Sequence, residues 1–170
     1  MHKKVPTYNP EMRKDTNRLA ALRHQLILDT SVEKAYDDIT KLLAASLEVP
    51  IAMINFMDDD RDWFKSCVGF PVTESPAITS FCEAFFHTDQ DVIVVEDTTQ
   101  SRLFSQHPMV TGEPYIRFYA AARLTVKGQT LGTLCAYDTQ PRQISPDQID
   151  QLKALTMAVV ELVESRSKPA

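Results

Sequence analysis

The chain has 170 residues, enough for one domain with its own core and short for two. Hydrophobic residues make up 44% and charged residues 24%, near the averages for soluble globular proteins, which leaves little room for a disordered or fibrous architecture. The net charge of -5, with no gathered run of Lys and Arg, argues against nucleic acid as a partner. No stretch approaches the roughly 18 apolar residues needed to cross a bilayer, so no membrane partner is expected.

Met1-His2-Lys3-Lys4-Val5-Pro6 carries positive charge but no apolar segment behind it, which removes a secretory leader. Cys67, Cys82 and Cys135 stand far apart with no C-x-x-C pair, so neither a zinc site nor a disulfide framework is expected. A cytoplasmic location follows from these features. Residues 1–10 read as a loose arm, and residues 11–167 as one domain. Met12, Leu19, Leu22 and Leu26 recur at helical spacing and predict a first helix ending near Leu28-Asp29-Thr30. Thr30 and Glu33 have the spacing of a capping box, and the stripe from Val32 through Leu47 predicts a second helix that Pro50 stops.

Ile51 to Met57 is apolar on both faces, as a central strand covered on two sides would be. Asp58-Asp59-Asp60 makes a turn, and Arg61 to Val68 returns antiparallel, with Trp63, Lys65 and Cys67 on one face and Phe64, Ser66 and Val68 on the other. Pro71 and Pro76 bound a loop. A short helix over Ser80 to Phe86, a strand at Val92 to Val95 and an irregular stretch to Pro114 follow. Two strands, one alternating through Tyr115 to Leu124 and one from Thr130 to Asp138, meet at a Lys127-Gly128 turn. A two-residue loop there sets Arg117 against Asp138 and Tyr119 against Ala136. Ser145-Pro146 opens a last helix running to about Ser165. The fold class is α/β in the broad sense, α+β in the strict one, with a central antiparallel sheet of about five to six strands.

Asp60-Arg61-Asp62-Trp63-Phe64-Lys65-Ser66, Ser80-Phe81-Cys82, Thr111-Gly112-Glu113-Pro114, Arg117-Phe118-Tyr119-Ala120 and Leu131-Gly132-Thr133-Leu134-Cys135 with Asp138 resemble, in that order, the GAF domains of bacterial signalling proteins. The likeness covers residues 17–165. It implies terminal helices on one sheet face and, on the other, a ligand cavity roofed by Ser80 to Phe86 and Gln100 to Pro114. GAF domains bind cyclic nucleotides, bilins, haem or other small molecules, and many pair through their terminal helices; fold alone does not choose the ligand. The cyclic-nucleotide pattern Asn-Lys-x-Phe-x-x-x-Asp-Glu has no counterpart here. The bilin-attaching cysteine is usually followed by histidine, whereas Cys82 is followed by Glu83, with His87 further on.

The ligand-binding candidates are Trp63, Lys65, Cys82, Phe85, Phe104, Arg117 and Tyr119, with no catalytic residue, no metal ligand set and no cofactor named. Cys82 reads either as a reactive thiol at a helix start or as a small buried hydrophobe; only Cys82 among the three offers an exposed thiolate. Trp63 and Lys65 either stack on and pair with a ligand or are a core tryptophan and a surface lysine. Arg117 either grips an anionic group or pairs with Asp138. On the last helix, Ile149, Leu152, Thr156, Val159 and Val163 form a heptad seam and Leu155 and Leu162 lie off it, so one side faces the sheet and another a partner copy. The sequence therefore reads as a non-enzymatic sensory module, a homodimer that binds an unidentified small molecule and signals to a separate output protein, unless the chain is a fragment. A thiol enzyme resembling free methionine sulfoxide reductase and a purely structural dimerisation domain are the alternatives.

Overall fold

A computed structural model describes residues 8–166. Two helices stand where periodicity predicts one: α1 (Pro10–Arg13) and α2 (Thr16–His24). The side chains decide the break. Asn9 accepts the Met12 amide, and Asp15 accepts the Arg18 amide at 2.9 Å, so Asp15 starts a new helix inside an otherwise continuous apolar spacing. Helix α3 (Lys34–Leu47) closes on Glu48 in the left-handed region, with Pro50 just beyond. The expected capping box does not form. Thr30 bonds the Ile27 carbonyl instead, and Glu33 is drawn away to Lys65 (2.6 Å) and Arg166 (2.9 Å).

Six antiparallel strands form one sheet: β1 (Ile51–Met57), β2 (Arg61–Val68), β3 (Glu74–Pro76), β4 (Val92–Val95), β5 (Phe118–Val126) and β6 (Gln129–Asp138), in the order β3-β2-β1-β6-β5-β4. β3, which lies in the stretch read as a proline-bounded loop, pairs with the start of β2. Every residue of β1 is buried. Its alternate residues Ala52, Ile54 and Phe56 join the core beneath α3 and α5 (Pro146–Arg166), and Ile51, Met53 and Met57 join a second core on the opposite face. Ser145 and Gln148 cap α5 reciprocally, at 2.8 and 3.1 Å.

Two bulges overturn local readings of the strands. In β2 the pairing slips between Ile54 and Asn55, so Lys65 is the extra residue and both Lys65 and Ser66 reach α3 and the loop before it. Cys67 thus lies on the face opposite to Trp63. In the β5–β6 hairpin the two-residue loop exists: Lys127 (φ 51°) and Gly128 (φ 76°) both sit in the left-handed region, and Val126 faces Gln129. The register then shifts past Leu124, so that Phe118, not Arg117, faces Asp138, and Tyr119 faces Tyr137. Asp138 takes Arg142 as its ionic partner.

Gly132 follows this bulge where β6 presses on β1. A Cβ there would lie 1.8 Å from the Asn55 carbonyl oxygen, whereas one at Gly128 would meet open space. Gly132→Ala is expected to lose at least about 2 kcal/mol in urea unfolding because two central strands must part. Gly128→Ala should lose only about 1 kcal/mol, the cost of a left-handed alanine.

Candidate functional site

The face opposite the helical layer is covered by a 3-10 helix, Phe81–His87, and by the segment leading to α4 (Pro108–Thr111). Ser80 starts the 3-10 helix by accepting the Cys82 amide at 3.1 Å. Such short elements present no wide apolar stripe, and aromatic side chains supply the contact area instead. The Phe81 ring lies 4.9 Å from Phe104, 4.2 Å from His107, 5.3 Å from Tyr119 and 5.6 Å from Tyr137, centre to centre. Behind it, the Cys82 sulfur sits 2.9 Å from the Thr133 hydroxyl and 3.2 Å from that of Tyr119, with Cys135 as a neighbour. Burial holds the Cys135 thiol and both tyrosine hydroxyls well above their usual ranges.

Beside this aromatic block lies a cavity of about 320 Å³. Met53 and Phe64 from the sheet floor it, Phe81 and Tyr137 form its inner wall, and Phe70 and Val72 border it from the β2–β3 connection. Asp62, Glu74, Ser75, Thr79 and Ser80 bring the polar atoms. The volume falls in the range of small-molecule sites, and the mix of apolar wall with a few polar groups is what such sites use for affinity and orientation.

A buried charge cluster joins this cavity to the N-terminal helices. Arg13, fully buried, pairs with Glu83 of the 3-10 helix and with Asp62 at 2.7 Å, and also donates to the Asp58 carbonyl at 2.7 Å. Asn55 donates to the other Asp62 oxygen at 3.0 Å. Arg18 lies alongside, donating to the Arg13 and Thr130 carbonyls; burial and the neighbouring Arg13 charge lower its guanidinium to about 10. Burial also raises the Glu83 carboxyl, against the pull of Arg13. One guanidinium therefore ties α1, the start of β2 and the 3-10 helix together.

The sequence profile of the GAF domain matches residues 31–161. The chain belongs to the GAF domain family. Members are typically small-molecule-binding signalling modules. Over 117 residues the chain is 36% identical to a cyclic di-GMP phosphodiesterase of Pseudomonas aeruginosa, a match covering 68% of this chain and 20% of the relative. The chain thus spans about a fifth of that longer protein. The GAF domain of an Acinetobacter phosphoenolpyruvate-protein phosphotransferase superposes with a TM-score of 0.65 at 16% identity, covering 89% of this chain and 95% of the other. The blue-light absorbing form of the Thermosynechococcus elongatus PixJ GAF domain gives 0.60 at 19%, covering 86% and 89%. Free methionine-R-sulfoxide reductase from Neisseria meningitidis, solved with its substrate, gives 0.62 at 14%, covering 86% and 87%. At these identities the structures share the fold alone.

None of the seven residues singled out from the sequence lines the cavity of this GAF domain. Cys82, Phe85, Phe104 and Tyr119 pack together in the core behind it. Trp63 and Lys65 lie on the helical side, Trp63 in the core and Lys65 beneath α3, its ammonium bound to Glu33, Thr30 and the Ser31 carbonyl. Arg117 donates to the Val110 and Ile116 carbonyls, bracing the loop instead of pairing with Asp138. The expected exposed thiol is not Cys82, which is fully buried; Cys67 is half-buried, and burial raises its thiol. The heptad seam of α5 is also resolved: Leu152, Thr156, Val159 and Val163 are buried in the chain's own fold.

His107 packs in the aromatic block with no exposure. Its Nδ1 accepts the Met109 amide at 3.0 Å, which assigns the proton to Nε2, donating to the Thr79 carbonyl at 3.1 Å. Burial pushes its pKa down to about 4. An unfolded histidine titrates near 6.5, so the unfolded chain takes up a proton that the native chain refuses as the pH falls below that value. The contribution is complete above about pH 6.5 and is lost toward pH 4, at no more than about 1.4 kcal/mol per pH unit. His107→Gln should therefore flatten the decline of stability between about pH 6.5 and 5, measured by urea unfolding against the unmodified chain.

Proposed function

We propose that this GAF domain is a sensor whose ligand occupies the cavity between Met53, Phe64 and Phe81, and whose occupancy is transmitted to the N-terminal helices. The observation that carries the reading is the double engagement of Asp62, which lines the cavity while its carboxylate holds Arg13 of α1. A ligand that shifts Asp62 changes the partner of a buried guanidinium, and the alternative arrangements of such a group differ by more than thermal energy. Cys82, Phe85, Phe104 and Tyr119 set the cavity's shape from behind, as a rigid second layer. The thiol-enzyme alternative finds no exposed activated cysteine among the described residues.

Two copies pair, in this reading, through the helical layer, where Leu26, Leu42 and Met157 stand exposed, and the signal passes on to an output domain or protein. No described helix is long and apolar enough to cross a membrane.

N-phenyl-1-naphthylamine serves as a neutral fluorescent probe of the cavity. One equivalent is expected to bind, to be expelled by Ser75→Trp, and to slow hydrogen exchange of the α1 and α2 amides. Arg13→Met should abolish that slowing while binding persists. Binding that leaves those amides unchanged would defeat the relay. For the pairing, sedimentation at high micromolar concentration should show a dimer that Leu42→Glu together with Met157→Glu reduces to monomer; a monomer throughout would defeat it.

Arg13 supports a stability prediction of its own. Arg13→Ala leaves Glu83 and Asp62 buried without their cation, and should lower stability by about 3–5 kcal/mol. Lys14→Ala, which removes only the exposed pair with Asp59, should leave thermal unfolding unchanged.

A further inference from the structure

The charge of the cavity narrows the class of ligand. Asp62 and Glu74 both line it, and no Lys, Arg or His does so among the described residues. The remaining polar groups of the lining are neutral hydroxyls on Ser75, Thr79, Ser80 and Tyr137, of which Thr79 donates to the Pro76 carbonyl and Ser80 accepts the Cys82 amide. Asp62 is almost fully buried, whereas Glu74 is half exposed, placing one carboxylate deep and one at the mouth. Glu74 meets Arg61 through Oε2 at 2.7 Å; Oε1 has no protein donor among the described residues. Arg61 is in turn shared among Asp29, Asp58 and Glu74, so three carboxylates surround one guanidinium and the mouth keeps an excess of negative charge. The walls include the aromatic rings of Phe64, Phe70, Phe81 and Tyr137, a ring type whose quadrupole attracts cations.

An anionic ligand entering this space would lose its hydration, meet no cationic donor and face two like charges. A cation with an apolar body would meet the opposite: the unengaged Glu74 oxygen for its head and rings for its flank. We infer that the cavity selects a small organic cation, an ammonium or amidinium group on an aromatic or apolar body, with Glu74 as the charge-recognising residue. The inference rests on the preceding reading that the cavity is a ligand site.

The test uses three near-isosteric probes, 2-phenylethylamine, 2-phenylethanol and 3-phenylpropionate, titrated into the full chain at neutral pH and followed by calorimetry or ligand-observed NMR. The ammonium compound is expected to bind at least about tenfold tighter than the carboxylate, with the alcohol between them. Glu74→Gln should weaken the ammonium compound by about threefold or more and leave the alcohol within about twofold. That substitution removes only one of three partners of Arg61 and an exposed ion pair, so the fold is kept. If the carboxylate binds as tightly as the ammonium compound, or if Glu74→Gln weakens all three alike, cation selection is overturned and the cavity reading stands. If none of the three binds at about 1 mM, or if binding survives Ser75→Trp, the cavity reading itself is overturned.

Discussion

The central strand β1 is buried along its whole length, and this burial on two faces organises the molecule. A strand with apolar residues pointing both ways requires a cover on each side. On one side the cover consists of α3 and α5, long helices whose aliphatic stripes match the small residues Ala120, Ala122 and Ala136 of the neighbouring strands. On the other side it consists of a 3-10 helix and irregular chain, which meet the sheet with large rings and with Cys82. The cavity lies on this side, bordered by Phe81 and Tyr137, which pack edge to face, and by Phe70 and Val72 of the β2–β3 connection.

The second organising feature is electrostatic. Arg13, Glu83 and Asp62 are all buried, and charges removed from water persist only with close partners and full hydrogen bonding. Arg13 meets this demand by donating to two carboxylates and two carbonyls, drawn from β2, the turn before it and the 3-10 helix. The N-terminal helices are therefore part of the cover of the cavity face as well as neighbours of the helical layer. In the proposed sensing role, this is the route by which a change beside Asp62 reaches the outside of the domain.

The shared fold with a photoreceptor domain and with a reductase shows how little this scaffold commits to a chemistry. What differs between such sites is which side chains the roof brings in. Here the roof contributes rings, hydroxyls and carboxylates, while Arg13 and Arg61 are already taken up by acidic partners and Arg18 by backbone carbonyls.

Apart from the break between α1 and α2 and the short strand β3, the order of the main elements, the antiparallel sheet, the two-sided burial of β1 and the family were legible in the sequence, because periodicity, turn residues and motif order are local properties. The two-residue hairpin loop was legible for the same reason. The register beyond it was not: a bulge past Leu124 costs a single residue and leaves no mark in an apolar alternation. Likewise Trp63 and Phe64 are both apolar neighbours, so composition alone does not say which one faces the cavity. The candidates Cys82 and Tyr119 each adjoin or face a lining residue, Phe81 and Tyr137, and miss the cavity by one position or one strand. The pairing of Glu83 with Arg13 spans 70 positions, a contact that no local pattern encodes. The sequence by itself determined which segments fold and how they follow one another; tertiary packing alone decided which side chains border the cavity and which charges meet, because both depend on contacts between residues far apart in the chain.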